Sequence, residues 1–316
     1  MFICPNCGHA YSLPTCGRCK TTTPCTDRIW QLTDAPDSVT DEYIGYEQIG
    51  AHYSGKRSAV VEYADRAFAQ EITRVTGAGI FLDLGCGDGC LTVPAAQNGT
   101  KVIAADISNH MIRILQRKAA YHDVSLEHVL LCRMNALQLP LTDESIDCVV
   151  CNSVHLISRP ERVILEIYRV LKKNGSFVFR DDQPGKTPEY PYDNSRYNEI
   201  VNSVYRMYWD ECNRRHSFPK KYSWGFDRDA MCSELFHNKK EFVIPVQVEY
   251  NRKLKDGFLP RFVGRGFSDQ VDVPAELHRE VISSTIEHMK RIYGADFGEV
   301  SFHGIEPDML VTVYEK

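Results

Sequence analysis

Short apolar runs alternate with amphipathic stretches through the middle of the chain. The apolar runs predict strands at 79–84, 101–106, 129–134, 146–152 and 175–179. Between and before them, apolar residues at helical spacing predict helices at 58–76, 90–98, 108–121 and 159–171. Because single helices separate most of these strands, the pattern predicts a doubly wound parallel sheet and therefore an α/β fold.

A glycine-rich turn, Gly85-Cys86-Gly87-Asp88-Gly89, follows the first of these strands. Glycine lets the chain reverse sharply and lets a ligand approach the backbone at the carboxyl end of a strand. Asp106 ends the next strand, about 20 residues further on, where a carboxylate binds two ribose hydroxyls. This pattern predicts an adenosine-containing ligand, and by itself it does not separate a dinucleotide from other adenosine ligands.

Four cysteines near the start of the chain form two Cys-x-x-Cys knuckles, with Cys4 and Cys7 in the first and Cys16 and Cys19 in the second. Two such knuckles on a short hairpin supply four thiolates in a tetrahedral arrangement, which is typical of a structural zinc site. Iron suits the same ligands, and a pair of redox dithiols is a further alternative. We favour a zinc ribbon over residues 1–30, because so short a segment needs metal to fold.

Charge and composition narrow the class of protein. The 316 residues carry 37 basic and 42 acidic side chains, a formal charge of −5, which argues against a protein that coats nucleic acid. No apolar run approaches the roughly 20 residues of a membrane span, and the first residues lack the pattern of a secretion signal. Together with the crowding of cysteines at the start, this predicts a cytoplasmic protein with reduced thiols.

The motifs of the core resemble a known family. Residues 82–89 (LDLGCGDG) closely resemble the first motif of the class I S-adenosylmethionine-dependent methyltransferases, in particular those of type 11. The resemblance continues, in order, through 102–108 (VIAADIS), 135–141 (NALQLPL), 145–150 (SIDCVV) and 166–175 (EIYRVLKKNG). It implies S-adenosylmethionine as cofactor and methyl transfer as activity.

The resemblance also implies an architecture. Two further strands, near 242–250 and 309–314, complete a Rossmann-like sheet of seven strands, of which the last is antiparallel. Helices at 195–214 and 275–293 lie in the insertions and form a cap. After the zinc ribbon, we expect a linker and lid helices at 31–78. The cofactor-binding core then spans 79–182, and the cap with the last two strands spans 183–316.

Residue by residue, the resemblance implies a cofactor site. Asp83 and the turn Gly85, Cys86 and Gly87 line the amino acid part, Asp106 holds the ribose, and Ile107 packs on the adenine. Asn135, which stands where the family usually has Asp, accepts a bond from the adenine amino group, and Ala136 adjoins it. Asn152 and Ser153 border the methyl group, while Tyr53, in a stretch that resembles the family's lid, closes over the cofactor.

The acceptor side gives fewer signals. His155 follows the fourth strand and is the candidate general base, with an unreactive core or surface histidine as the alternative. Arg180, Asp181 and Asp182 end the fifth strand and are expected at the pocket mouth. Trp224 and Phe226 suit a flat or apolar acceptor, although aromatic residues in caps usually serve packing.

Three functions are compatible with this sequence. The acidic charge and the large cap favour a methyltransferase of small molecules. A four-cysteine module joined to this core also resembles the bacterial ribosomal RNA guanine methyltransferases, in which case the ribbon would grip RNA. The third possibility, a non-catalytic protein that kept the fold, is disfavoured by the intact glycine turn and Asp106. Neither the acceptor atom nor the oligomeric state follows from the sequence.

Overall fold

A computed structural model of the chain describes residues 2–34, 59–76, 79–154, 157, 159–182, 192–216, 226–246, 248–270, 273–305 and 308–316. The helices are α1 (Ala59–Thr76), α2 (Thr92–Gln97), α3 (Asn109–Tyr121), α4 (Pro160–Val170), α5 (Ser195–Arg215), α6 (Arg228–Leu235), α7 (Phe258–Val263) and α8 (Ala275–Tyr293). The strands are β1 (Phe2–Ile3), β2 (Ala10–Tyr11), β3 (Cys25–Thr26), β4 (Ile29–Gln31), β5 (Ile80–Leu84), β6 (Lys101–Asp106), β7 (Val129–Arg133), β8 (Ile146–Val150), β9 (Leu171–Asp182), β10 (Asn238–Ile244), β11 (Glu249–Lys253), β12 (Ser301–Ile305) and β13 (Met309–Glu315).

One large sheet organises the molecule. In the part of the chain that the structure describes, it has nine strands in the order β10-β13-β9-β8-β5-β6-β7-β4-β3. Strands β4 to β9 pair in parallel wherever they are neighbours, and β13 lies antiparallel between β9 and β10. The run from β10 to β7 is the predicted seven-stranded arrangement, so the doubly wound α/β fold is confirmed.

The sheet is larger than predicted because the N-terminal segment joins it. β3 and β4 form a short hairpin, and β4 pairs in parallel with the edge of β7, with Ile29 opposite Leu131. Ile29 is completely buried there, among the apolar residues that α1 to α3 also cover. Burial of this side chain favours docking of the hairpin on an edge that would otherwise expose unpaired backbone groups.

The single strand predicted near 242–250 is in fact two strands. β10 ends at Ile244, before Pro245, which has no amide hydrogen to donate to a ladder. β11 then begins at Glu249 and pairs with β12 in a separate two-stranded sheet. The break sends the chain away from the main sheet into the cap.

Helices cover both faces of the sheet, as side chains of β5 illustrate. Phe81 points into the core under α1, α2 and α3, and Leu82 points into the core under α4 and α6. The predicted helix boundaries follow from local chemistry: the hydroxyl of Ser108 accepts from the amide of Met111 at the start of α3, and Pro160 opens α4. Of the helices in the described ranges, none is long and apolar enough to cross a membrane.

The predicted cap is a helical subdomain with a core of its own. Helices α5 and α8 pack against each other, and Tyr208, Phe262 and Met289 are among their fully buried contacts. β9 and β10 run in the same direction, and the chain leaves the carboxyl end of each to build the cap. The cap is therefore connected to the sheet edge where the glycine turn lies.

Candidate functional site

The glycine turn between β5 and α2 is held against the neighbouring strands. The amides of Gly85 and Cys86 donate to the carbonyl of Ala105, at 2.8 and 3.0 Å. Gly85 has a φ of +76°, and a Cβ at this position would lie 2.3 Å from Oγ of Ser153. Glycine is required here by both conformation and space, and the turn brings together two of the residues assigned to the site.

Asp106 faces this turn from the end of β6. Its Oδ2 accepts from the amide of Gly87, and its Oδ1 accepts from the amide of Ser108, both at 2.9 Å. A carboxylate oxygen can accept more than one hydrogen bond, so these two bonds are compatible with further hydroxyl donors. The two amides hold the carboxylate at the end of β6, facing the turn.

Asp83 lies within the same edge of the sheet but is buried, with 5% of its surface exposed. The hydroxyl of Thr92, in the first turn of α2, donates to Oδ2 at 2.6 Å. Burial raises the pKa of Asp83 to about 7, and the negative charge of Asp106 contributes to the rise. Two carboxyl groups this close to one turn favour a ligand that carries positive charge.

Cys86 is a filler of the turn rather than a nucleophile. Its side chain is buried, and burial raises the pKa of the thiol well above its ordinary value. The reactive species of cysteine is the thiolate, so this thiol stays protonated and unreactive. Cys86 is therefore a small packing residue of the turn.

The residues assigned to the adenine are half-buried at the ends of β6 and β7. Oδ1 of Asn135 accepts from the amide of Leu137 at 2.9 Å, which holds the side chain in a local turn. The carbonyl of Ile107 accepts from Nε of Arg133 at 2.9 Å. Ala136 is also half-buried and contacts the core under α4.

The ends of β8 and β9 are held by longer-range contacts. Oδ1 of Asn152 accepts from the amide of Arg180 at 3.1 Å. The guanidinium of Arg180 turns to α1, where Nη2 lies 2.7 Å from the buried Oδ1 of Asp65. Asp181 pairs with Arg228, whose guanidinium lies over the ring of Phe179.

Three assigned residues lie outside the described residues, namely Tyr53, His155 and Trp224. The side chain of Asp182 is likewise not described. Phe226 is half-buried and packs against the core under α4. Thr92, Asp65 and Arg228 were missed by sequence reasoning, because each owes its position to a partner that no motif identifies.

The four cysteines form one cluster, in which the four Sγ atoms all lie within 4.8 Å of one another. Sγ of Cys4 is 3.5 Å from Sγ of Cys19, and Sγ of Cys7 is 3.7 Å from Sγ of Cys16. These distances are far from the ~2.05 Å of a disulfide, and four sulfurs ~2.3 Å from a tetrahedral zinc ion lie about 3.8 Å apart. The donor set and its spacing therefore fit zinc, while Cys25 lies exposed in β3, outside the cluster.

Comparison with known proteins identifies the domain that contains the glycine turn. Residues 82–179 match the family described as "methyltransferase domain". An uncharacterized methyltransferase-like protein of Schizosaccharomyces pombe is 30% identical over 185 residues, which span 55% of this chain and 69% of that protein. A demethylmenaquinone methyltransferase of Symbiobacterium thermophilum is 38% identical over 104 residues, 31% of this chain and 40% of that enzyme.

Among solved structures, the YcgJ protein of Bacillus subtilis matches 80% of this chain and 98% of its own, with 16% identity and a TM-score of 0.45. The parallel sheet, the glycine turn and Asp106, taken with the matching domain, define a class I methyltransferase that uses S-adenosylmethionine. Within that class, the chain belongs to the type 11 family of methyltransferases.

Proposed function

We propose that this enzyme transfers the methyl group of S-adenosylmethionine to a small-molecule acceptor. The observation that carries the proposal is the helical cap, whose two connections to the sheet leave from the edge that holds the glycine turn. A cap in this position encloses a small acceptor beside the cofactor and keeps water from the reacting atoms.

The residues of this chain fit the cofactor. The turn at Gly85 admits only glycine, because Oγ of Ser153 lies where a Cβ would stand, and the carboxylate of Asp106 faces this turn from the end of the next strand. When bound, the cofactor supplies an electrophilic methyl group on a cationic sulfonium. Asp83 provides a buried acidic group toward its amino acid part, and Asn152 and Ser153 border the methyl group.

Alignment is the main task of such a site, since methyl transfer is an in-line displacement. The amide of Arg180 donates to Asn152, and Oγ of Ser153 lies where a Cβ of residue 85 would stand, which supports the assignment of both residues beside the methyl group. A base is needed only for an acceptor that carries a proton of high pKa. We assign that role, where it is needed, to His155.

The class of acceptor is inferred from the relatives. Several of them, including the Symbiobacterium protein and proteins from Clavibacter sepedonicus and Listeria monocytogenes, are named demethylmenaquinone methyltransferases. That name specifies a small organic acceptor for those enzymes. The Listeria protein is 24% identical over 198 residues, so we extend to this chain only the class of small organic molecules.

Methylation of RNA has weaker support. The segment from Met1 to Trp30 has three basic residues, Arg18, Lys20 and Arg28, against one acidic residue, Asp27. Proteins that bind nucleic acid present a higher density of basic residues on one face than this segment does. The side of the module formed by Cys4 and Cys16 is also buried in the core of the protein.

The test uses the purified enzyme, methyl-labelled S-adenosylmethionine and a cell lysate, followed by separation of the label by size. We expect label in the low-mass fraction, and none with the Asp106→Ala variant. Label in a polymer that ribonuclease degrades would replace this proposal with the RNA function. A protein that binds S-adenosylhomocysteine yet labels neither fraction would contradict transfer to small molecules or RNA.

We further propose that the four-cysteine cluster holds a structural zinc ion. Four thiolate ligands complete a tetrahedral shell and leave no position for a reacting molecule. Elemental analysis should find about one zinc per chain. Cys16→Ser should lose the metal, whereas Cys25→Ser, outside the cluster, should retain it; metal-free wild-type protein that is fully folded would refute the proposal.

A further inference from the structure

We propose that the N-terminal module, residues 2–34, positions the adenine side of the cofactor site, so that metal in the cysteine cluster strengthens cofactor binding. This inference rests on the proposed function, because it takes Ile107, Asn135 and Ala136 to contact the adenine. It assigns the module a role in cofactor binding that needs no contact with the acceptor.

The first contact joins the module to the loop that follows β7. The amide of Ile3 donates to the carbonyl of Pro140 at 2.9 Å, and Phe2 forms an isolated β-bridge with Leu141. Phe2 is 4% exposed and Leu141 is completely buried. The loop that begins with Asn135 is therefore held at its far end by the first residues of the module.

This loop and the cysteine cluster share one apolar core. Cys4 and Cys16 are buried in the same cluster as Leu137 and Leu139, under α4. The amide of Leu137 is the group that holds the side chain of Asn135. A shift of the knuckles would therefore reach Asn135 through directly packed side chains.

Arg133 makes the second connection, at the end of β7. Its Nη1 donates to the carbonyl of Thr33 in the module at 3.1 Å, and its Nε donates to the carbonyl of Ile107 at 2.9 Å. The side chain is buried, and the amide of Leu32 donates to the Arg133 carbonyl at 3.0 Å. One side chain thus ties the module to the backbone of the residue assigned to the adenine face.

The third connection holds the helix that begins after Asp106 and Ile107. Nε2 of Gln31 donates to Oδ1 of Asn109 at 3.0 Å, and Nε2 of Gln116 donates to the carbonyl of Asp27 at 2.7 Å. Together with Arg133, these bonds place the module against both loops of the adenine side. The module therefore acts as an outer wall of that half of the site.

Metal is part of the inference because we expect the module to need it in order to hold its shape. Strands β1 and β2 have two residues each, and the knuckles have little secondary structure besides them. In segments of this size, metal binding supplies the folding free energy. Loss of metal would loosen the module and, with it, the loop of Asn135. By thermodynamic linkage, bound cofactor must then tighten the metal by the same factor.

The experiment measures S-adenosylhomocysteine binding by calorimetry on the full chain, loaded with zinc or stripped by a chelator. We expect affinity to fall about tenfold on stripping, within the usual range of coupling between sites. In the reciprocal measurement, saturating S-adenosylhomocysteine should raise the zinc affinity of the chain, measured by competition with a chelator, by the same factor.

A variant separates positioning from loss of folding. Phe2→Ala keeps all four thiols and should retain zinc, yet weaken S-adenosylhomocysteine binding severalfold and speed hydrogen exchange of the amides of Leu137 and Leu139. Its matched control is Phe297→Ala, which removes an equally buried ring from the core of the cap. The control should leave affinity and exchange at those amides unchanged.

Equal affinity in zinc-loaded wild type and Phe2→Ala, both folded, would overturn the inference while leaving the cofactor assignment intact. The same holds for equal affinity with and without zinc when metal analysis confirms removal. If stripping unfolds the chain, Phe2→Ala decides alone. Failure of the zinc-loaded wild type to bind S-adenosylhomocysteine would instead refute the proposed function.

Discussion

The two halves of the sheet edge that forms the site are fixed in different ways. At the ends of β6 and β7, the side chains of Asp106 and Asn135 are held by backbone amides: Ser108 and Leu137 each lie two residues from the side chain they hold, and Gly87 lies 19 residues from Asp106. At the ends of β8 and β9, Arg180 pairs with Asp65, 115 residues away, and Asp181 pairs with Arg228, 47 residues away.

This contrast separates side chains that are held by main-chain groups from side chains that need charged partners elsewhere in the protein. A backbone amide is present whatever the side chain, so the bonds to Asp106 and Asn135 do not depend on the identity of the residues that donate them. The β8–β9 side depends on chosen pairs of charges from distant elements. We expect the first side to determine cofactor affinity and the second to determine stability and the acceptor.

The largest effect is expected from Asp106→Ala. Two hydrogen bonds to a charged acceptor, each worth about 1.5–3 kcal/mol, would be lost, so affinity for S-adenosylhomocysteine should fall by more than about 100-fold. Calorimetry measures this directly. Asp181→Ala, on the β8–β9 side, is the matched control and should bind nearly as well as wild type; unchanged affinity in Asp106→Ala would remove the assignment of the ribose.

Arg180→Met tests the other side. Asp65 has 4% of its side chain exposed, so removal of its partner leaves a buried charge and should lower the free energy of unfolding by about 3–5 kcal/mol. Arg228→Met breaks a pair whose carboxylate is 48% exposed and should cost about 1 kcal/mol or less. Urea unfolding compares the two, and equal losses would contradict the distinction between buried and exposed pairs.

The pH dependence should come from Asp83. Because its pKa is about 7 in the folded protein, the group is neutral below pH 7, and binding of the cationic cofactor should tighten about tenfold as pH rises from about 6 to about 8. The folded state binds more protons than the unfolded state between the ordinary pKa and about 7, so stability of the cofactor-free protein falls across that window.

Asp83→Asn should flatten both dependences, which calorimetry and urea unfolding can follow. Thr92→Ser keeps the hydroxyl that donates to Asp83 and should preserve both pH dependences. A pH dependence that persists in Asp83→Asn would assign the titration to another group.

The smallest effect is expected from Asn135→Asp, which restores the residue usual in the family. A carboxylate oxygen can accept from the amide of Leu137 as Oδ1 of Asn135 does, so cofactor affinity should change less than about threefold. Calorimetry at one pH suffices. A loss beyond tenfold would mean that the amide nitrogen of Asn135, rather than its oxygen, serves the cofactor.

The same contrast explains how much could be predicted from sequence. The turn at Gly85 and the position of Asp106 follow from local sequence patterns, and the antiparallel β13 follows from the resemblance to the methyltransferase family. The pairing of Arg180 with Asp65 has no signature in either segment, so the sequence predicts only that Arg180 lies at the end of its strand.

Short elements were equally hard to predict. β3 and β4 have two and three residues, too few for any periodicity, and only the docking of Ile29 beside β7 reveals that the N-terminal segment enlarges the sheet. The break after β10 rests on one proline, whose effect on a strand depends on whether the strand has a partner there.

The outermost strands have a consequence for how chains meet one another. β3 ends the sheet on one side with two residues, and β10 ends it on the other with Lys239 and Lys240, which pair with carboxylates such as Glu241 and Glu315. A strand from a second copy would have to approach these charges in order to continue the ladder at β10, and at β3 it would find only two residues to pair with. Charged and short edges of this kind oppose the strand recruitment that begins amyloid-like aggregation. The described sheet is thereby protected against growing from one molecule into the next at high concentration.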